Sequence, residues 1–171
     1  LMQSQPGAAM VYGASPHWHS WTGKPEDSHR DVLRKLGVST DSLIPAPTLL
    51  PLLLRGKAQT PTTCGVLVRH HVIEHIGVFE ESFRGMFEDQ VFFYKIFLEA
   101  SVFVESGSWD RYRIHADSHT ARSARTGEYD LYGGPNPTRW KFLCWLEHYL
   151  RMRGCTDPTL WRALEYELWS Y

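Results

Sequence analysis

The chain of 171 residues has 18 Lys and Arg against 19 Asp and Glu. Its formal charge of −1 gives no electrostatic case for a nucleic-acid binder, which needs a basic surplus. A hydrophobic content of 43% with 22% charged residues supplies a packed core and excludes a disordered tail, at a length that fits one domain or a large part of one.

The first strand signal is "AMVYG" at 9–13, a buried strand that needs neighbours to pair with. It lies so near the first residue that the chain is expected to begin inside a domain. Residues 16–23, "PHWHSWTG", read as a loop. Residues 25–36 carry helix punctuation: Pro25, then Glu26 and Asp27 at the start, Arg34 and Lys35 at the end, and Gly37 as left-handed cap. A short helix is expected at 48–55, with Thr48 as cap and Gly56 as terminator. "CGVLV" at 64–68 reads as a strand and "HHVIEHIG" at 70–77 as a short helix closed by Gly77. A helix over 88–99 is apolar at 91–94 and 96–98, which leaves no polar stripe and predicts burial on most sides. "SVFVE" at 101–105 reads as a strand and "SWDRYRIH" at 108–115 as an extended segment. Residues 116–137 are polar and read as a loop. Two amphipathic helices follow, one opened by Thr138 and ended by Gly154, the other opened by Asp157-Pro158. Strands alternating with helices argue for an α/β domain.

Three cysteines, Cys64, Cys144 and Cys155, show no C-x-x-C. They point to a reducing, cytoplasmic setting and not to a disulfide framework. No apolar run reaches the ~20 residues of a membrane span.

Several stretches could carry chemistry. Glu88-Asp89 opens a helix, where free N–H groups favour an ionised carboxylate that could accept a proton from an attacking hydroxyl. The plain alternative is a helix-start acid with no other role. In "SWDRYRIH", alternation puts Trp109, Arg111, Arg113 and His115 on one side of an extended chain, where the arginines and His115 could meet a phosphate or a metal–phosphate group. An exposed edge face is the alternative. His71 and His75 are spaced i, i+4, a chelating distance on a helix, yet no third ligand lies nearby in sequence. Trp18 and Trp21 in "HWHSW" suit either stacking on a sugar or packing the loop. The chain contains no G-x-G-x-x-G, G-x-x-x-x-G-K or G-x-S-x-G, which argues against dinucleotide, P-loop and α/β-hydrolase readings.

In order, "CGVLVRHHVIEHIGVFEESFRGMFEDQVFF" and "FVESGSWDRYRIHADS" resemble the second half of family 2 glycosyltransferases, which have the GT-A fold. Ile76-Gly77-Val78-Phe79-Glu80-Glu81, Glu88-Asp89-Gln90 and Tyr112-Arg113-Ile114-His115 carry the likeness, and "AAMVYG" is similar to the family's strand after its nucleotide-binding segment. It covers about residues 8–120. The resemblance implies an incomplete GT-A mixed sheet with flanking helices over 1–120, a linker over 121–137 and a helical extension over 138–171. It implies Asp89 as catalytic base of an inverting transfer, with Glu88, Gln90 and Trp109 on the acceptor side and Arg111, Arg113 and His115 on the diphosphate side. His115 is also the candidate metal ligand. The implied substrates are a nucleotide-diphospho-sugar, most commonly a UDP-sugar, and a hydroxyl acceptor; the implied cofactor in a complete enzyme is Mg²⁺ or Mn²⁺.

The chain departs from the family in having no D-x-D pair and no donor-binding half ahead of Leu1. Alone, it is therefore expected to hold the base and acceptor side and to be inactive. An open sheet edge and an uncovered apolar face would favour a homodimer. A different class of function is an interaction module: Trp140, Trp145, Trp161 and Trp169 on the last two helices could form a dimer interface or a peripheral membrane contact.

Overall fold

The computed structural model describes residues 1–130 and 134–171. Its strands, in chain order, are β1 (Met10–Tyr12), β2 (His17–Trp18), β3 (Ser42–Ile44), β4 (Val66–Val68), β5 (Val102–Val104) and β6 (Tyr112–Arg113). Its α-helices are α1 (Leu49–Leu54), α2 (His70–Ile76), α3 (Glu88–Glu99), α4 (His119–Thr126), α5 (Pro137–Met152) and α6 (Pro158–Leu168). Four strands form a mixed sheet in the order β3-β5-β1-β4. β1 runs parallel to β5 and antiparallel to β4, and β3 runs antiparallel to β5. β2 and β6 pair in parallel as a separate ribbon. The architecture is mixed α/β with helices flanking the sheet.

The pleat sorts side chains onto two faces. Met10, Tyr12, Val102 and Val104 join the large helical core. Val11 and Phe103 face the other way, into a small cluster with Ala8 and the half-buried Met2. In register with them, Leu43 and Leu67 are 45% and 50% exposed. The second face is thus apolar across all four strands and only partly covered.

α3 runs through the centre of the main core, as its sequence predicts. Val91 to Phe97 are all buried. The one polar member, Lys95, is 4% exposed; its ammonium donates to the Val78 carbonyl at 3.0 Å and pairs with Glu80. α5 contributes Phe142, Leu143, Leu146 and Leu150 to the same core, and α6 contributes Leu160, Ala163 and Leu164. The last two helices therefore close the core that the sheet and α3 begin.

Four local expectations are corrected. The helix over 25–36 is only a 3-10 stretch, Pro25–Arg30. Asp31 leaves the helix because its carboxylate is drawn to the neighbouring loop, accepting from the His19 and Ser20 amides at 2.6 and 3.0 Å and from the Ser20 hydroxyl at 2.5 Å. The loop at 16–23 contains β2 and a 3-10 turn, Ser20–Thr22. The expected loop at 116–137 contains α4, capped by the Ser118 hydroxyl on the Ala121 amide; residues 131–133 of it lie outside the described residues. Finally, α5 is capped by Asn136 on the Arg139 amide, not by Thr138, and its buried face uses Phe142 while Trp140 stays 44% exposed. The capping side chain of Asp157 at α6 is as the sequence predicts, accepting from the Leu160 amide at 2.7 Å.

Candidate functional site

The start of α3 is built by Phe87. It adopts a left-handed backbone, φ 66°, uncommon for a side chain of its size. Its ring is stacked on Phe142 with centroids 4.9 Å apart and meets Tyr129 edge-on at 5.8 Å. That anchor turns the following acid pair into the interior edge of the molecule. Glu88 Oε2 is buried and has no hydrogen-bond partner among the described residues. Asp89 Oδ1 accepts from the Gln90 amide at 2.7 Å.

Burial pushes the Asp89 carboxyl above the ordinary carboxylate value, and the neighbouring Glu88 charge adds to this; the Gln90 amide opposes it. A helix start alone would hold an acid low. Here desolvation outweighs that pull. Tyr129 stands opposite. Its phenol is pushed up by burial, drawn down by Arg139 and pushed up by the Asp89 charge and by Tyr112 of the ribbon. The Asp89 carboxylate, Tyr129, Arg139 and the β6 ribbon therefore share one electrostatic neighbourhood. Gln90 and Phe87 line a cleft of about 660 Å³ on that side of the helix.

The ribbon gathers the second group of sequence candidates. Arg111 and Arg113 lie over the Trp18 ring at 5.6 and 5.7 Å, and Arg113 lies over Trp21 at 5.2 Å. His115 meets Trp21 edge-on at 6.2 Å, and the Trp21 indole N–H donates to the Ile114 carbonyl at 2.8 Å. Arg111, Arg113 and His115 thus share a face, with two tryptophans laid against it. Trp109 does not join them. Its indole lies toward Gly13, where an added Cβ would sit 3.5 Å from Cη2. Pairing with β2 begins only at Tyr112, so strand alternation does not reach back to Trp109.

Sequence reasoning missed a polar cluster beyond the end of β1. The Asp110 carboxylate accepts from the Ser15 hydroxyl at 3.0 Å, from the Thr62 hydroxyl at 3.3 Å and from the Cys64 thiol at 3.0 Å. Gly65 is required beside it, because a Cβ there would lie 2.8 Å from Ser15 Oγ. It also missed Tyr129 and Arg139, which no short motif marks.

His70 pairs with Glu74 at 3.3 Å and His75 with Glu99 at 3.5 Å. Among the described residues no three His, Cys, Asp or Glu side chains come together to hold a metal ion. His115 would be a single ligand against an aromatic edge, so the residues here do not fit a complete Mg²⁺ or Mn²⁺ site. No helix among the described residues is long and apolar enough to cross a membrane. Comparison of the chain with protein-family models, with curated proteins and with solved structures found no match.

Proposed function

We propose that this chain is the acceptor-side portion of an inverting glycosyltransferase of the family 2 type, with a GT-A fold and Asp89 as its general base. The observation that carries the reading is the Asp89 carboxylate. It is held by an apolar helix, raised in basicity by burial, and set beside Tyr129, Arg139 and an open cleft. A base whose pKa moves toward neutrality transfers protons more effectively at physiological pH. The mixed sheet, with a parallel central pair β5-β1 and antiparallel strands β3 and β4 at its two edges, supports the fold, with residues 1–120 as the acceptor-side half and 138–171 as a helical extension that braces it.

In this reading a hydroxyl of the acceptor loses its proton to an Asp89 oxygen as its own oxygen attacks the anomeric carbon of a nucleotide-diphospho-sugar, a UDP-sugar foremost. The bond from that carbon to the diphosphate breaks, the diphosphate leaves with the electron pair, and the anomeric configuration inverts. Arg111 and Arg113 are placed to receive the departing negative charge, with His115 beside them and Trp18 and Trp21 as the wall behind. Glu88, Gln90 and Trp109 are assigned to the acceptor side.

The test uses a chain that carries a donor-binding half ahead of this segment. Asp89→Asn should lower turnover of a UDP-sugar by ~10²-fold or more, the scale of a lost general base, while donor affinity by calorimetry is unchanged. Wild-type turnover in that variant would end the assignment.

A second reading rests on the exposed aromatics of the last helices. Trp169 is 89% and Tyr166 57% exposed, and their i, i+3 spacing puts them on one strip at the end of α6. Aromatic strips of this kind sit at membrane surfaces or subunit interfaces. Pelleting of the chain with anionic vesicles, abolished by Trp169→Ser, would favour a peripheral membrane contact. A dimer that dissociates on the same substitution would favour self-association.

A further inference from the structure

The cleft beside Asp89 is strongly cationic. Three separate segments deliver the charge. Arg34 and Lys35 come from the extended stretch before Gly37, Arg55 and Lys57 flank the left-handed Gly56 after α1, and Arg139 comes from the first turn of α5. The only carboxylate lining it among the described residues is Glu167, which Arg139 holds at 2.6 Å. Five cations and one carboxylate leave a surplus of four positive charges in a chain whose total is −1. Arg34, Lys35, Arg55 and Lys57 have no carboxylate within ion-pair distance among the described residues. Arg55 is braced from behind by the Tyr166 ring at 4.0 Å.

Like charges gathered in one concave site repel each other and lower stability unless something anionic fills it. A volume of about 660 Å³ is that of a small-molecule site. Polar groups suited to orientation, the Gln90 amide and the Tyr129 phenol, stand on its wall, and Gln90 directly follows the acid pair in the chain. A planar, multi-dentate guanidinium set is the usual partner of a phosphoryl group. Four surplus charges suit a dianion better than a single carboxylate.

We propose that this cleft seats a phosphoryl group carried by the acceptor, so that the acceptor is a phosphorylated compound whose hydroxyl is directed at Asp89. The proposal rests on the transferase reading for the word acceptor; the anion site itself does not. The geometry makes the cleft an anchor beside the base. The phosphoryl group is held by the cations, and the remainder of the molecule lies along Gln90 toward Glu88 and Asp89.

The test is a titration of the 171-residue chain, followed by its amide resonances, with inorganic phosphate and with glucose 6-phosphate as probes. Both should give saturable shifts at Gly56, Lys57, Gln90 and Tyr129. The sugar phosphate should bind at least tenfold tighter and extend its shifts to Glu88 and Asp89. The exposed-residue variant Arg34→Gln/Lys57→Gln should keep its fold and lose at least tenfold in affinity for both probes. Equal affinity for the two probes, with shifts confined to the cleft, would mean an adventitious ion only and would overturn the acceptor role. Saturable shifts confined to Arg111, Arg113 and His115, or none at all, would overturn the site. Either failure leaves the Asp89→Asn turnover test untouched. Conversely, a normal Asp89→Asn turnover with intact phosphate binding would remove the transferase reading and the acceptor role with it, leaving an anion-binding cleft.

Discussion

Two acid pairs sit in the same place in their local sequence, and the fold treats them in opposite ways. Glu26-Asp27 comes after Pro25, and Glu88-Asp89 after Phe87; both open a stretch that reads as a helix. The first opens six residues of 3-10 helix at the surface. Asp27 there accepts from the Thr22 hydroxyl at 2.6 Å and pairs with Arg30 at 3.0 Å, and these partners hold its carboxyl below the usual range. The second opens a twelve-residue helix through the core, and burial holds Asp89 above the usual range. The acids are alike, and the difference lies in the residues downstream of them. Seven consecutive buried residues, Val91 to Phe97, drag the start of α3 inward, whereas Val32 and Leu33, 47% and 55% exposed, have nothing to pull against.

The largest test of that contrast is in the apolar runs. Phe97 is 1% exposed and packs against Tyr12, Phe93 and Tyr94. Phe97→Ala should cost about 3–5 kcal/mol of unfolding free energy by denaturant titration, the range for emptying a buried aromatic site. Leu33→Ala should stay within about 0.5 kcal/mol, as surface changes do. Equal losses would mean that the 25–36 segment is packed after all.

This contrast also marks how far the sequence was legible. α3, α2 and the strands at 10–12, 66–68 and 102–104 follow from apolar runs and glycine stops, because each run is long enough to define its own burial. The 25–36 segment misleads because its end charges and Gly37 imitate a helix, while the decisive contact is Asp31 with His19 and Ser20, a partnership twelve and eleven residues away. α4 was hidden for the opposite reason: among His119–Thr126 only Ser123 is buried, so no periodicity betrays it. Asp89 could be singled out from its position, and Arg111, Arg113 and His115 from alternation. The cationic cleft could not, since Arg34, Arg55 and Arg139 lie far apart in the chain; the packing of α1 against α6 and of α6 against α5 brings Arg55 and Arg139 together, and the Gln59 amide donating to the Leu36 carbonyl at 2.9 Å ties in the segment of Arg34.

The two acids should also differ in the sign of their pH dependence. Asp89 has a folded pKa above the ordinary 3.8. Its favourable contribution is therefore complete below that value and is lost as pH rises through the folded value. Asp89→Asn should then be more stable than wild type at pH 7, with the gain shrinking as pH falls through the folded value and gone below the ordinary 3.8. Asp27 has a folded pKa below 3.8. Its contribution is present above 3.8 and is lost as pH falls through the folded value. Asp27→Asn should be less stable than wild type at pH 7, with the deficit vanishing in acid. Thermal unfolding of both variants from about pH 3 to pH 7 reads the two signs. Parallel curves would break the comparison at its electrostatic root.

The smallest effect tests why the first stretch stops being a helix. If the Asp31 carboxylate ends it by capturing the 19–20 turn, removing that carboxylate should free both ends. In Asp31→Ala, the His19 and Ser20 amides lose their acceptor and should exchange with solvent several-fold faster, since local protection depends on the bonds that close each turn. The Trp18 indole, which donates to Ser20 Oγ at 3.1 Å, should loosen with them, and the Arg111 and Arg113 face that rests on Trp18 should lose order in step. Buried α3 amides should be unchanged, because nothing in that clamp touches the core. Faster exchange confined to residues 19–20 would leave the ribbon site independent of the clamp. Faster exchange spreading to Tyr112 and Arg113 would make Asp31 a positioning residue for it, and would give the failed helix a purpose: its first carboxylate past Arg30 holds the aromatic wall against which the arginines are laid.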